Sequence, residues 1–144
     1  MLSNIPTGYE IEFLINISLT IVVGFIIGLE RRSKGKNAGI STQSFVIGGA
    51  MIFTFISKIL SPTSPTVIAT SVVTGAGFLS AGIIMKQEMS GKIRNLTTAV
   101  MTWFSASIGM AIGFNMYFIA ALATFFVVLV SRIPKSNSGN LLKE

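Results

Sequence analysis

Four cations stand within six positions, Arg31, Arg32, Lys34 and Lys36, and on either side of them the chain loses its charge: residues 13–29 and 40–57 hold no Asp, Glu, Lys or Arg. Cations cost several kcal/mol each at membrane depth, so this run is expected in water or among headgroups. The 17 uncharged residues before it span about 26 Å as a helix, close to the hydrocarbon thickness of a bilayer. The run therefore reads as a turn between two transmembrane helices, with Gly35, Asn37 and Gly39 as its turn formers. Only 11% of the 144 residues are charged, against about 25% in a soluble domain. That excludes a water-soluble fold. The net charge of +6 is spread over helix ends and not along one face, which favours a membrane over nucleic acid as the partner.

Five spans follow, at about residues 11–29, 40–57, 66–85, 96–113 and 115–131. The first ten residues lack the basic start of a signal peptide, so the first span is expected to be retained. Glu12, Asn16, Thr20, Gly24 and Gly28 recur along it at every fourth position, forming a slowly winding seam that ends in GxxxG and admits a close neighbour. The third span carries Ser71, Gly75, Ala76, Gly77, Ser80, Ala81 and Gly82. A helix so poor in bulk is expected at the bundle centre. From 96 to 131 there are 36 residues without charge, about 54 Å of helix, so the segment folds back. Gly113 and Asn115 mark the break, Gly as a C-cap and Asn as a turn residue.

Five spans also predict an orientation. With the first basic turn cytoplasmic, ten of the eleven cations lie inside and only Lys58 outside, in accord with the positive-inside rule. The N-terminus is then external and the C-terminus cytoplasmic, with Tyr9 and Tyr117 at the outer interface. The segment GFIIG leading through a basic turn to GIST is echoed by GFLSAG leading to NLTT. Either a parallel repeat about the membrane normal or convergent use of small residues and N-caps accounts for it.

The motifs GLERR with KGKNAGIST, GAGFLSAGIIM and RNLTTAVMTW together resemble the membrane domain of the MgtC/SapB family of bacterial inner-membrane proteins, in order, over most of residues 24–130. The resemblance implies a plasma-membrane protein linked to growth in low magnesium and to survival inside host cells. It also implies action through a membrane partner, in some members the proton-translocating ATP synthase. The family's acidic–basic pair at the end of its first span falls on Glu30 and Arg31, its glycine-rich third span on Gly75, Gly77 and Gly82, and its LTTA element on Leu96, Thr97, Thr98 and Ala99. After Ile40, where many relatives place Arg, Thr and His or Asn, this chain has Ser41, Thr42 and Gln43. Only the Thr agrees. Many relatives carry a soluble C-terminal regulatory domain, whereas 13 residues follow the last span here and no such domain is expected.

Glu30 ends a helix where the macrodipole disfavours a negative charge by about 0.3–1 kcal/mol. Pairing with Arg94 or a neighbouring Arg, docking of a partner, or local compensation by Arg31 and Arg32 would each answer it. Glu12 and Asn16, one turn apart, are either ion-handling groups or headgroup contacts. Trp103 lies two turns deep in the fourth span, so its indole N–H is expected to find a partner inside the bundle. The Thr97 and Thr98 hydroxyls are expected to cap or back-bond to their own helix.

An enzyme is disfavoured, since no GxxxxGKS/T, no phosphorylation motif, no His or Cys and no deep pair of carboxylates is present. No cofactor or bound metal is expected. A Mg²⁺ pore wants carboxylates, and only Glu12 lies within a span. The reading adopted is a non-catalytic regulator that contacts itself, with a dimer favoured, or another membrane protein. Its contact faces are Gly24 and Gly28 on the first span and Ser105, Gly109 and Gly113 on the fourth. An ion or small-solute transporter is the alternative.

Overall fold

The computed structural model describes residues 8–36, 38–64, 66–85 and 95–133. Every regular element in it is helical: α1 Glu10–Ser33, α2 Ile40–Leu60, α3 Thr66–Met85, α4 Leu96–Gly113 and α5 Tyr117–Ser131. The first four are long and apolar enough to cross a membrane, while α5 is shorter, at 15 residues.

The helix ends follow from local chemistry. α1 opens with Glu10 and Glu12 and closes with Arg31 and Arg32, charges that complement the helix dipole. It runs past the expected end at residue 29, because Glu30, Arg31 and Arg32 are good helix formers and Glu30 pairs with Lys34 one turn on. Gly35, at φ +62°, stops it. Its N–H reaches the Arg32 carbonyl and that of Lys36 reaches Arg31, the two bonds of a Schellman motif. The same motif ends α4, with Asn115 at φ 61° in the left-handed position and bonds from Asn115 to Ile112 and from Met116 to Ala111. Gly113, expected as the cap, is the last helical residue instead. Asn is among the few side chains that tolerate this conformation. α2 continues through Lys58 to Leu60, beyond the expected end at 57.

Close approaches fix the register. Gly24 faces Ser44 and Gly28 faces Ile40, so α1 and α2 are antiparallel. Gly109 faces Ile47 and Gly113 faces Met51, so α2 and α4 run in the same direction. α5 runs along α1, joined to it by Tyr117 with Asn16 at one end and Lys34 with Ser131 at the other. The bundle therefore has one end bearing Arg31 to Lys36 and an opposite end bearing Glu12 and Lys58.

The core lies between α1, α2 and α4, where Ile27, Ile47, Met51 and Ile108 are wholly buried. Over an 18-residue stretch 61% of α4 is buried, against 44% of α2, 33% of α1 and 17% of α3. The centre is thus α4, and the expectation that α3 occupies it is overturned. α3 leans on α2 and α4 through Ala76, Ala50 and Ala106, and its small residues make a thin outer wall.

Candidate functional site

Two polar clusters, one at each end of α1, hold the side chains with chemical potential. At the basic end the continued helix turns Arg31 inward, onto the start of α4. Only 2% of Arg31 is exposed, so of the two placements expected for the basic run, water or headgroups, water does not hold for this cation. One guanidinium nitrogen, Nη2, donates to Thr98 Oγ1 at 2.5 Å and the other, Nη1, to the Met101 sulfur at 3.3 Å. Its Nε–H is buried without a partner among the described residues. Thr98 Oγ1 thus accepts from a neighbouring helix, and a back-bond of the expected kind is made one turn later, from Thr102 Oγ1 to the Thr98 carbonyl at 2.9 Å. Thr97, on the opposite side of the turn, is exposed.

Glu30, beside Arg31, is answered by Lys34, whose ammonium also donates to the Ser131 carbonyl at the end of α5. This is local compensation, by Lys34 through the ion pair and by the neighbouring charge of Arg31. Arg94 lies outside the described residues.

At the other end Glu12 accepts from the Lys58 ammonium and, at 2.6 Å, from Asn115 Nδ2. Asn115 Oδ1 in turn receives Asn16 Nδ2 at 3.2 Å, and the Tyr117 hydroxyl donates to Asn16 Oδ1 at 2.9 Å. Four helix ends meet in this network. The left-handed turn at Asn115 is what aims its amide back at α1. Sequence reasoning singled out Glu12 and Asn16 but missed Lys58, Asn115 and Tyr117. The signal available was that Lys58 is the one cation assigned to that end.

Between the clusters lie further buried polar groups. Gln43 is fully buried, with Ser105 Oγ 2.5 Å from its Oε1 and, among the described residues, no partner for its Nε2. Thr20 and Thr54 are buried, and their hydroxyls have no partner among the described residues. Trp103, expected to point inward, is instead 45% exposed on the outer face of α4. The inner faces of that helix are taken by Thr98, Thr102, Ser105, Ile108, Gly109 and Ile112.

The glycines divide sharply. A Cβ on Gly24 would lie 2.7 Å from Ser44 Cα, one on Gly28 2.7 Å from Ile40 N, one on Gly109 2.9 Å from Ala50 Cβ and one on Gly113 2.7 Å from the Met51 carbonyl oxygen. These rows, read as faces for a partner, are closed by α2 of the same chain. Gly75, Gly77 and Gly82 of α3 would meet nothing within 4 Å. The echoed segments GFIIG and GFLSAG are therefore packed differently, the first closed and the second open.

Comparison with known proteins gives a consistent family. The sequence pattern of the MgtC family matches residues 17–137. The chain is similar to Protein MgtC of Salmonella typhimurium, 38% identical over 121 residues, which is 84% of this chain and 51% of the relative. It is likewise similar to Protein MgtC of Brucella abortus, 38% identical over 113 residues, 78% of this chain and 47% of the relative. The chain thus spans about half the length of these curated relatives. No solved structure matches it.

Proposed function

Because this chain belongs to the MgtC family, we propose that it is a multi-pass protein of the bacterial inner membrane that acts by helix contact, without chemistry of its own, in magnesium homeostasis and virulence. All five helices cross the bilayer in this reading, with the Arg31 end cytoplasmic and the Glu12 end external. The anchoring of α5 to α1 at both Asn16 and Lys34 supports a fifth crossing.

The observation that carries the proposal is the openness of α3. A Cβ added to any of its glycines would meet nothing within 4 Å among the described residues, and of its 20 residues only Ala69, Ala76 and Ser80 are buried. In lipid, apolar surface alone does not drive helices together, whereas small residues that let backbones approach do. A second copy is the occupant we assign to this face, and another membrane protein, of the kind the ATP synthase represents for the family, is a further partner of the same thin wall.

The chain has no cysteine, so single-cysteine cross-linking in native membranes is clean. Ser71→Cys on α3 should give a cross-linked dimer, abolished by adding Gly75→Leu. Phe118→Cys, exposed on α5, should give none. Absence of a dimer from Ser71→Cys would overturn self-association through α3.

A second reading, an ion or solute path, draws on the buried unpaired Thr20, Thr54 and Gln43 groups. Ile27, Ile47 and Ile108 fill the space among them. Reconstituted protein that moves a cation into liposomes, and loses this with Glu12→Gln, would favour it.

A further inference from the structure

A groove of about 910 Å³ opens at the basic end between α1, α4 and α5. Arg31, Lys34, Lys36 and Arg132 surround its head, while Val100, Phe104, Phe126 and Val130 line its length. From these features we infer that the groove binds one phospholipid with an anionic headgroup, the phosphate held among the cations and an acyl chain laid along α4 and α5.

Charge complementarity is the first support. Among the described residues the carboxylate beside these four cations is that of Glu30, which is already paired with Lys34. Among the described residues Lys36 and Arg132 are in no ion pair. The second support is Arg31, which lines the groove although only 2% exposed, and whose enclosed Nε–H has no acceptor among the described residues. Arginine keeps its charge even when buried, and that charge beside the head of the groove favours an anion there. The Schellman turn at Gly35 brings Lys36 back to the rim, and the bond from Lys34 to the Ser131 carbonyl ties α1 to α5 across the head.

The apolar length decides between a lipid and a free anion. Polar rim and apolar floor succeed one another over one groove, as a phospholipid's two parts do. A free phosphate would leave Val100, Phe104, Phe126 and Val130 uncovered. Basic pockets between transmembrane helices at a membrane surface are a known type of site for anionic headgroups.

The test uses the purified full chain in detergent. Native mass spectrometry and thermal unfolding are followed on titration with phosphatidylglycerol, with phosphatidylcholine of the same chains, and with inorganic phosphate. Phosphatidylglycerol should remain bound and raise the unfolding temperature, and the other two should do neither. Lys36→Gln with Arg132→Gln, both exposed positions, should weaken phosphatidylglycerol about 30-fold, or about fivefold per charge. Val100→Trp should displace it with the cations intact. Arg32→Gln removes a cation at the same end that does not line the groove and should leave binding unchanged. Equal binding of both lipids, equal protection by inorganic phosphate, or equal losses from Arg32→Gln and the groove variants would each overturn the inference.

Discussion

Arg31 and Thr98, 67 residues apart in sequence, meet at 2.5 Å in the interior of the bundle. The contact joins the end of α1 to the start of α4, and so ties the first helix to the most buried one. Thr98→Val keeps the shape and removes the acceptor, leaving the guanidinium with only the Met101 sulfur among protein groups. A buried donor so abandoned costs about 1–3 kcal/mol. Unfolding in mixed detergent should show that loss. Arg31→Met combined with Thr98→Val should cost less than the two single changes added, by about 0.5–3 kcal/mol. Strict additivity would mean that the contact carries no energy.

The divided glycines predict opposite signs for one substitution. Gly109→Ala places a methyl against Ala50 and the Ile47 carbonyl, an overpacking that costs about 1–3 kcal/mol. Gly82→Ala meets no atom within 4 Å and gains the helix propensity of alanine, up to about 1 kcal/mol. The same unfolding measurement should therefore move down for the first and up or not at all for the second. Equal destabilisation by both would show that α3 is packed against something in the isolated protein.

Charge is excluded from hydrocarbon, so α3 ends and α4 begins where charge patterning puts them, while the end of α4 is legible from Gly113 and Asn115. Facing is not. Lipid is as apolar as the protein interior, so the outward Phe118 and Phe125 and the inward Ile108 and Ile112 carry no contrast in the sequence. Small residues show that a helix is thin and leave open what lies beside it, which is why α3 was placed at the centre and lies at the edge. The cost of cations in hydrocarbon puts the whole run from Arg31 to Lys36 in water or among headgroups, but a 100° turn of the helix separates the inward Arg31 from the outward Arg32. Asn115 was seen as a break, while its amide's reach to Glu12 depends on a backbone φ that no pattern displays.

That backbone conformation can be separated from the side chain it presents. Asn115→Gly keeps φ near 61° without strain but removes the amide that donates to Glu12. Asn115→Ala removes the amide and adds the left-handed penalty of about 1–2 kcal/mol. Alanine should therefore be less stable than glycine by about 1 kcal/mol, and both less stable than the parent. Indistinguishable glycine and alanine variants would place the whole contribution in the Glu12 network and none in the turn.

Gln43 offers the last discrimination, between a buried amide that is merely tolerated and one that waits for a partner. Its side chain is wholly enclosed, and whichever way the amide is turned, one end meets Ser105 and the other meets nothing. Gln43→Met conserves volume and removes the unpaired group, so on packing grounds it should be neutral or stabilise by about 1 kcal/mol. Ser105→Ala alone leaves Gln43 with neither end bonded and should destabilise by about 1–3 kcal/mol, and Gln43→Met with Ser105→Ala should recover most of that loss. If Gln43→Met is instead as damaging as Ser105→Ala, the amide has an acceptor in the native membrane that the chain itself does not supply, and the α2–α4 interface is then the place to look for a bound solute or water.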